Sequence, residues 1–481
     1  MTDRTPPEHD HDATPDEAVA WAVQAMRARR FAAAGRALGQ VLAEFPDHPD
    51  ALHFSGLLAV QEGDEPRGLA LVRRSLDIAP NNPHAWNNLG NLLQRSGEAN
   101  EAAAAYLHCL ELAPDFTGAL TNLGFMLRLA GDVDEAERLY RRALEVNPDF
   151  VEALNNLGAI ELARGRPIAA EALFRRAIEL EPGFGDAITN LGDALRRQGR
   201  GKESAECFWR AIAVHHGNRT ARKLLIYALV EADDLERARV VADDWLKLDP
   251  DEPEARHHHA ALVGEAVPER ASDAYVETVF DGYAATFDSS LGNLGYRAPT
   301  LIAAMIDRLS PPPAGDLAVL DAGCGTGLVA PLVRARAARL VGIDLSGGML
   351  TKAAQRGLYD HLEKAEITAA MAATPAAWDL VTCADTLCYF GDLHAVLAAA
   401  AAALKPGGRL VFSVEALPDD DPRPFRIHPA NGRYAHGLAH VDAAATAAGL
   451  VREAVARETL RKEGNKLVDG MVLAYRRPLL G

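Results

Sequence analysis

The chain has 481 residues, too many for one ordinary hydrophobic core, so at least two domains are expected. Its apolar (48%) and charged (24%) fractions are those of a soluble globular protein and exclude collagen-like, largely disordered and disulfide-scaffold classes. The net charge of −17 argues against nucleic acid or an anionic membrane as a partner, because both would repel the chain. Residues 1–265 carry 29 basic and 43 acidic side chains, against 21 and 24 in residues 266–481, so the negative charge is concentrated in the N-terminal part.

The N-terminus and the cysteines predict a cytoplasmic location. Residues 1–15 are polar and acidic, unlike a secretory signal, and predict a disordered tail. The five cysteines include no CxxC pair, which fits a reducing compartment and indicates no zinc site. The histidines at 257–259 are consecutive, so a helix would splay them around its surface and no metal site is expected.

The N-terminal half repeats with a period of 34 residues. Glycines recur in a first helix and in a turn, aromatic side chains recur in a second helix, and prolines follow that helix. The positions are Gly56, Gly90, Gly124, Gly158 and Gly192; Gly63, Gly97, Gly131, Gly165 and Gly199; Tyr106, Tyr140, Phe174 and Phe208; and Pro46, Pro80, Pro114, Pro148, Pro182 and Pro250, with His216 in the place of one proline. Two amphipathic helices per period cannot bury their faces alone, so the units are expected to stack into a superhelix.

This half resembles the tetratricopeptide repeat family, and its unit FVEALNNLGAIELARGRPIAAEALFRRAIELEP is close to the family pattern throughout. We expect about seven repeats within residues 16–265, of which the first and the sixth are degenerate. A capping helix is expected over residues 254–264. Such arrays usually bind a protein or peptide partner, so a partner of that class is predicted.

Asparagines recur in the first helix of four repeats, two positions before each glycine. They are Asn88, Asn122, Asn156 and Asn190. A ladder of carboxamides, which donate and accept at once, could pair with the backbone of an extended peptide. The alternative is that each asparagine bridges neighbouring repeats. Because this half is acidic, the predicted peptide is basic or neutral.

After a predicted linker at residues 266–272, strands alternate with helices over residues 273–481, which predicts a largely parallel sheet with helices on both faces. Seven strands are expected, with the third around residues 363–369 and the last two forming an antiparallel edge that turns at Gly464 and Asn465. The helix after the first strand is expected in LVAPLVRAR. The connection between strands three and four is short and leaves little room for a helix.

The first strand runs directly into a glycine-rich loop. Gly323, Gly325 and Gly327 form GxGxG, whereas a dinucleotide fingerprint would have its third glycine at Leu328. Glycine lets a ligand lie against the backbone where a Cβ would collide. Asp344 ends the second strand, where its carboxylate is placed to accept from both hydroxyls of a ribose. These features together predict a nucleoside-containing cofactor.

The C-terminal region resembles the class I S-adenosylmethionine-dependent methyltransferases, whose first motif VLDAGCGTG matches almost letter for letter. The resemblance implies a Rossmann-like α/β domain that takes S-adenosylmethionine as its cofactor. It also implies that Asp321 orients the loop, Asp344 binds the ribose and Glu366 binds the adenine amino group. The other implied cofactor-binding residues are Gly323, Cys324, Gly325, Gly327, Leu345, Met349, Asp385 and Thr386. The order of repeats, lid and core resembles a bacterial group of repeat-fused methyltransferases.

Residues 279–299 resemble the aromatic lid of methyltransferases that act on small molecules and on some proteins. The resemblance implies that Tyr283, Phe287, Tyr296 and Arg297 close over the cofactor, and the alternative is an ordinary packing helix.

Methyl transfer is an in-line displacement at a sulfonium, so positioning can supply much of the rate without an obligatory base. The catalytic candidates are Tyr389 and His436. Further candidates are Glu415 at the end of the fifth strand and Tyr434 in the same loop as His436.

Three hypotheses follow for the whole chain. In the first, the repeats recruit a protein or peptide and the methyltransferase modifies it or a neighbour. In the second, the enzyme methylates oxygen or nitrogen of a small molecule and the repeats serve assembly or localisation. In the third, the protein binds the cofactor without activity, and the intact glycine loop and Asp344 argue against it.

Overall fold

A computed structural model describes residues 14–263, 267–284, 286–310, 313–463 and 466–479. Nearly all of the predicted tail, and the predicted turn at Gly464 and Asn465, lie outside the described residues. The chain divides into two compact units, one of residues 1–161 with 172–182 and the other of residues 162–171 with 183–481.

The described part of the N-terminal half is built from seven helical pairs and one further helix. The first helices are α1 (Pro15–Arg27), α3 (Pro49–Gln61), α5 (Pro83–Arg95), α7 (Thr117–Ala130), α9 (Val151–Ala163), α11 (Gly185–Arg197) and α13 (Arg219–Glu231). The second helices are α2 (Phe31–Glu44), α4 (Glu65–Ile78), α6 (Ala99–Leu112), α8 (Val133–Val146), α10 (Pro167–Leu180), α12 (Gly201–Val214) and α14 (Leu235–Leu248). Helix α15 (Pro253–Val263) follows the last pair.

The repeated glycines and aromatic residues explain how each pair packs. A Cβ on Gly90 of α5 would lie closer than 3 Å to the ring of Tyr106 on α6, so only glycine admits that ring. The Tyr106 hydroxyl donates to Asn91 Oδ1 at 2.8 Å. The turn residue Gly97 has φ +81°, a left-handed conformation that glycine adopts at low cost. The same glycine and aromatic pairing recurs at Gly124 with Tyr140, Gly158 with Phe174, and Gly192 with Phe208.

An α/β domain follows these helices in the chain. Its helices are α16 (Asp273–Tyr283), α17 (Phe287–Asn293), α18 (Ala298–Leu309), α19 (Ala330–Val333), α20 (Gly347–Gln355), α21 (Ile367–Ala372), α22 (His394–Ala403) and α23 (Leu438–Ala447). Its strands are β1 (Leu317–Ala322), β2 (Ala337–Asp344), β3 (His361–Lys364), β4 (Trp378–Cys383), β5 (Leu404–Ala416), β6 (Phe425–Ile427), β7 (Tyr434–His436), β8 (Val451–Glu463) and β9 (Lys466–Arg476).

The sheet order β3-β2-β1-β4-β5 is parallel throughout, and β9 and then β8 continue it with antiparallel pairing. The predicted fold class is therefore confirmed. Seven strands were expected, and the described residues contain nine. The two additional strands are the short pair β6 and β7, which attaches at the carboxyl end of β5, where Glu415 pairs with Ala435. Three-residue strands carry too little periodic signal to be predicted.

Three local predictions are wrong. The third strand ends at Lys364, because the Glu366 side chain accepts from the backbone N–H groups of Thr368 and Ala369 and starts α21 as an N-cap. The short connection between β3 and β4 therefore does contain a helix. The helix expected in LVAPLVRAR is reduced to the four residues of α19 and a following 3-10 turn.

Candidate active site

The glycine loop after β1 has the backbone shape that its sequence predicts. Gly323, Gly325 and Gly327 have φ values of +74°, +53° and +83°, in the left-handed region that favours glycine. The N–H groups of Gly323 and Cys324 donate to Ile343 O at 2.8 and 2.9 Å, which folds the loop back onto the end of β2. A Cβ on Gly323 would lie closer than 3 Å to the Thr386 side chain, whereas Gly325 faces open space.

Asp344 lies at the carboxyl end of β2 against this loop. Its Oδ2 accepts from the N–H of Gly325 and its Oδ1 from the N–H of Ser346, each at 2.9 Å. Burial raises the pKa of Asp344 despite these hydrogen bonds. The carboxylate is thus held by the backbone in one orientation, beside the space above the loop.

Asp321, which the family resemblance implies orients the glycine loop, is fully buried near the end of β1. Its carboxylate is buried, with Oδ2 accepting from the Tyr359 hydroxyl at 2.6 Å and Oδ1 from Thr382 Oγ1 at 3.0 Å. Burial raises the pKa of Asp321 to about 6. These contacts join β1 to β4 and to the segment before β3, so Asp321 supports the loop from below.

A cavity of about 380 Å³ opens at the carboxyl ends of the parallel strands, where ligands bind in open α/β sheets. We call one set of its lining residues the strand-end group: Gly323, Cys324, Gly325, Asp344, Leu345 and Glu366. The second set consists of four tyrosines and one ion pair: Tyr227, Tyr275, Tyr283 and Tyr389, and Lys223 with Glu254. The second set includes residues of α13 and α15 within the same compact unit.

A buried arginine–carboxylate cluster borders the cavity and consists of Asp385, Glu415, Arg433 and Arg461. Asp385 accepts from Arg433 Nη2 at 2.7 Å and from Arg461 Nη1 at 3.3 Å. Glu415 Oε1 lies 2.5 Å from Arg461 Nη2 and 3.2 Å from Arg433 Nε. Burial alone would raise the pKa of Asp385, but the two guanidinium groups bring it below its ordinary value. The cluster is electrically balanced.

Several predicted cofactor residues border the cavity and others do not. Leu345, Glu366, Asp385 and Thr386 line it together with the glycine loop. Met349 is fully buried in α20 and Gly327 contacts Tyr359, and neither is among the lining residues of the described structure. Cys324 lines the cavity, and burial raises the pKa of its thiol well above the ordinary value, which disfavours the thiolate form.

The two catalytic candidates have different environments. Tyr389 lines the cavity, stacks edge-on to Phe280 with ring centroids 5.5 Å apart, and lies under the Arg433 guanidinium. The prediction of His436 as a catalytic residue is wrong. His436 is buried in β7, with Nε2 2.8 Å from Phe390 O, and is not among the lining residues that the structure describes. Tyr434 points away too, since its hydroxyl donates to Pro268 O at 2.9 Å.

The predicted lid residues also differ in whether they line the cavity. Tyr283, Phe287 and Tyr296 line the cavity, whereas Arg297 pairs with Glu458 of β8 at 3.4 Å. Helices α16 and α17, which carry Tyr283 and Phe287, are tied to the cofactor loops by carboxylates. Asp288 of α17 bonds the Thr326 hydroxyl, and Asp281 of α16 accepts from Gly348 N–H at 3.1 Å.

Asn88 and Asn122, two members of the predicted groove, contact neighbouring repeats. Asn122 Nδ2 donates to Asn91 Oδ1 at 2.8 Å and to Asn87 Oδ1 at 3.3 Å. Asn88 Nδ2 lies 2.9 Å from His53 Nε2. These are the contacts of the bridging alternative. Asn156 and Asn190 are half-buried on α9 and α11, and peptide binding by the four asparagines stays a prediction.

Sequence reasoning missed Arg433, Arg461 and the three lining residues of α13 and α15. Arg433 directly precedes Tyr434, which was a candidate, but its segment also contains Arg423 and Arg426, so nothing local distinguishes it. Arg461 alternates with other charged residues of β8, so nothing local distinguishes it. Lys223 and Tyr227 belong to a repeat that departs from the pattern, which was a weak signal of a special role.

The comparisons with known proteins agree with this geometry. Residues 294–454 match a family described as a methyltransferase domain. They form a methyltransferase domain. Two tetratricopeptide repeat families match residues 81–149 and 115–181, and residues 19–83 and 189–253. The predicted fusion of tetratricopeptide repeats with a methyltransferase is confirmed, and the methyltransferase domain supports S-adenosylmethionine as the methyl donor.

The curated relatives match only part of this chain and part of their own length. A ubiquinone biosynthesis O-methyltransferase from Idiomarina loihiensis is 36% identical over 99 residues, covering 20% of this chain and 41% of the relative. Human methyltransferase-like protein 27 is 37% identical over 111 residues, covering 23% and 43%. The chain therefore spans about two fifths of the length of these relatives.

Solved structures are similar to part of this chain. The Cut9–Hcn1 hetero-tetramer has a TM-score of 0.47 at 14% identity, covering 53% of this chain and 50% of that chain. YrrB, described as a tetratricopeptide repeat protein with an unusual peptide-binding site, has a TM-score of 0.32 at 22% identity, covering 39% and 96%.

Within the described ranges, no group of three or more histidine, cysteine, aspartate or glutamate side chains is arranged to hold a metal ion. None of the helices described is both long and apolar enough to cross a membrane.

Proposed function

We propose that the protein transfers a methyl group from S-adenosylmethionine to an uncharged, ring-containing small molecule bound in the cavity, and that the N-terminal repeats recruit a protein partner. The observation that carries the enzymatic part is the glycine loop with Asp344 held beside it by two backbone N–H groups. The residues fit the cofactor, because open space lies over Gly325 and a carboxylate faces it at the end of β2. When bound, S-adenosylmethionine supplies an electrophilic methyl group on a sulfonium.

The strand-end group supplies the contacts that a nucleoside needs. Asp344 has accepting capacity left on both carboxylate oxygens for ribose hydroxyls. Leu345 offers an apolar surface for a base, and Glu366 lies where the chain leaves β3. Glu366 already accepts from two backbone N–H groups, so its contact with an adenine amino group would be shared with its capping role.

The other lining residues support an uncharged acceptor with a ring. Lys223 pairs with Glu254 at 2.9 Å, Arg270 with Glu366 at 3.7 Å, and Arg433 with Asp385 at 2.7 Å. A charged acceptor would therefore compete with existing ion pairs, whereas tyrosine and phenylalanine rings offer stacking surfaces. Burial raises the pKa of Tyr389 strongly, so its hydroxyl stays protonated and serves as a hydrogen-bond donor. No obligatory base is needed for methyl transfer, so in this proposal catalysis rests on positioning.

Calorimetric titration of S-adenosylmethionine tests the cofactor site. Asp344→Ala removes the carboxylate and is expected to weaken binding at least about tenfold, the effect of losing a charge-assisted hydrogen bond. Asp419→Ala, at an exposed carboxylate paired with Arg457, is the matched control. Equal affinities of wild type and Asp344→Ala would reject the assignment.

Tritiated-methyl labelling of a cell extract with the full chain tests the acceptor class. After separation by size, label is expected in molecules that pass a small-pore filter and not in protein. Label that is retained with protein would favour the first hypothesis of the sequence analysis, in which the repeats deliver a polypeptide to the enzyme.

The recruiting role rests on the acidic N-terminal half and on its tetratricopeptide repeats, a class whose stacked helices commonly bind extended peptides. A basic peptide is the expected ligand. Fluorescence anisotropy with a labelled Lys-Ala repeat peptide should show binding that weakens in high salt, and a Glu-Ala repeat peptide is the control. Indistinguishable signals from the two peptides would contradict the proposal.

A further inference from the structure

Two helices of the repeat array contribute side chains to the methyltransferase cavity. Lys223 and Tyr227 are four positions apart on α13, so they lie on one face of that helix, and Glu254 belongs to α15. All three line the cavity together with Tyr275 and Tyr389 of the α/β domain. Helices α13 and α15 and the α/β domain belong to one compact unit.

These side chains are held in place by contacts on both sides. Lys223 Nζ lies 2.9 Å from Glu254 Oε1, which joins α13 to α15, and both side chains are mostly buried. The Tyr227 ring packs edge-on to His258 of α15 with centroids 5.7 Å apart. His257, also on α15, stacks on Tyr275 at 3.9 Å.

The same helix contacts the loop that carries Arg433. His257 Nε2 lies 2.8 Å from Gly432 O, and Arg433 follows directly in the chain. A Cβ on Gly432 would lie 3.1 Å from the Tyr275 hydroxyl, so this hydroxyl lies beside the same loop. Lys223, Tyr227 and Glu254 therefore line a part of the cavity that the strand-end group does not line.

We infer that α13 and α15 form a wall of the acceptor site and that Tyr227 and Lys223 determine its specificity for a planar aromatic acceptor. The inference rests on the proposed methyltransferase function and adds the residues that choose the acceptor. Tyr227 offers a ring surface, and an aromatic ring against it gains more than an aliphatic ring of equal size. Lys223, already paired with Glu254, presents a donor to a hydroxyl group of the acceptor without adding net charge.

Binding of simple probes to the full-length protein tests this wall. With S-adenosylhomocysteine present, the affinity for phenol is measured by saturation-transfer NMR, and cyclohexanol serves as the probe that has a ring and a hydroxyl but no π-face. Wild type is expected to prefer phenol. Tyr227→Ala and Tyr227→Leu are expected to weaken phenol about three- to tenfold, and Tyr227→Phe is expected to retain most of the affinity. Lys223→Met should weaken phenol and leave benzene unchanged.

Two controls separate the possible failures. Trp209→Ala, at a partly exposed aromatic residue of α12 outside the cavity lining, should bind both probes as wild type does. Affinity for S-adenosylhomocysteine is measured in every variant and should not change. Equal phenol affinity in wild type, Tyr227→Ala and Tyr227→Leu, or no preference for phenol over cyclohexanol, would overturn the inference. Failure of wild type to bind S-adenosylhomocysteine would instead overturn the proposed function.

Discussion

The imidazole of His257 lies with Nε2 2.8 Å from the carbonyl oxygen of Gly432, although 175 positions separate the two residues. Gly432 has φ +65°, and a Cβ at this position would overlap the His257 ring. Burial lowers the pKa of His257, which keeps the ring neutral with one N–H available to donate to that carbonyl. A residue of α15 therefore fixes the backbone next to Arg433.

Loss of this contact should destabilise the second compact unit. His257→Ala removes a buried hydrogen bond and the stack on Tyr275, and leaves Gly432 O without that donor. The expected cost is about 1–3 kcal/mol in the free energy of unfolding, measured by urea denaturation. His259→Ala is the control. His259 is on the same helix as His257 but is partly exposed, where it pairs with Asp243 of α14, so its loss should reduce the free energy of unfolding by less. Equal losses in the two variants would contradict the role of the contact.

The features that were predictable from sequence are local or periodic. Gly90 and Tyr106 recur every 34 residues, and the glycine loop is contiguous, so both stand out without knowledge of the fold. The arginine–carboxylate cluster joins Asp385 to Arg461 across 76 positions, and its members occur in segments with no shared pattern. Glu366 shows a third case: its position near β3 was predicted, but its capping of α21 depends on backbone geometry that no spacing reveals.

The close approach of Gly323 to Thr386 predicts a steric effect that backbone strain alone does not explain. Gly323→Ala places a Cβ closer than 3 Å to three Thr386 atoms at φ +74°. Gly315→Ala is a matched control, because Gly315 has φ +68° but its nearest atom would be 3.8 Å away. Both variants should lose about 1 kcal/mol of stability from the positive φ, and Gly323→Ala should lose more and also weaken S-adenosylmethionine. Calorimetric titration and thermal unfolding measure the two effects, and equal behaviour of the variants would refute the steric argument.

Removal of one arginine side chain from the arginine–carboxylate cluster should strongly reduce the free energy of unfolding. Arg461 is 1% exposed and pairs with both Asp385 and Glu415, so Arg461→Met leaves two carboxylates with one guanidinium. The expected loss is about 3–5 kcal/mol of unfolding free energy, because an uncompensated buried charge remains. Arg457→Met, at a half-exposed arginine of the same strand that pairs with Asp419, should change stability by less than about 1 kcal/mol. Denaturant midpoints compare the two variants, and a small loss in Arg461→Met would show that the cluster relaxes or takes up protons.

The buried His436 predicts a specific loss of stability in mild acid. Burial lowers its pKa from 6.5 to about 4, and His440, stacked at 6.0 Å, also disfavours its protonation. The unfolded chain binds this proton below pH 6.5 and the folded chain does not, so stability is complete above that pH and falls as the pH drops from 6.5 to about 4.

This single group should account for about 3 kcal/mol of the loss between those pH values. His436→Gln keeps an N–H donor for Phe390 O but cannot take up the proton, so its stability should depend less steeply on pH across this window. His361→Gln, on an exposed histidine of β3, should retain the wild-type slope. Urea denaturation at several pH values measures the slopes, and a His436→Gln profile parallel to that of wild type would show that the burial of His436 does not set the acid sensitivity.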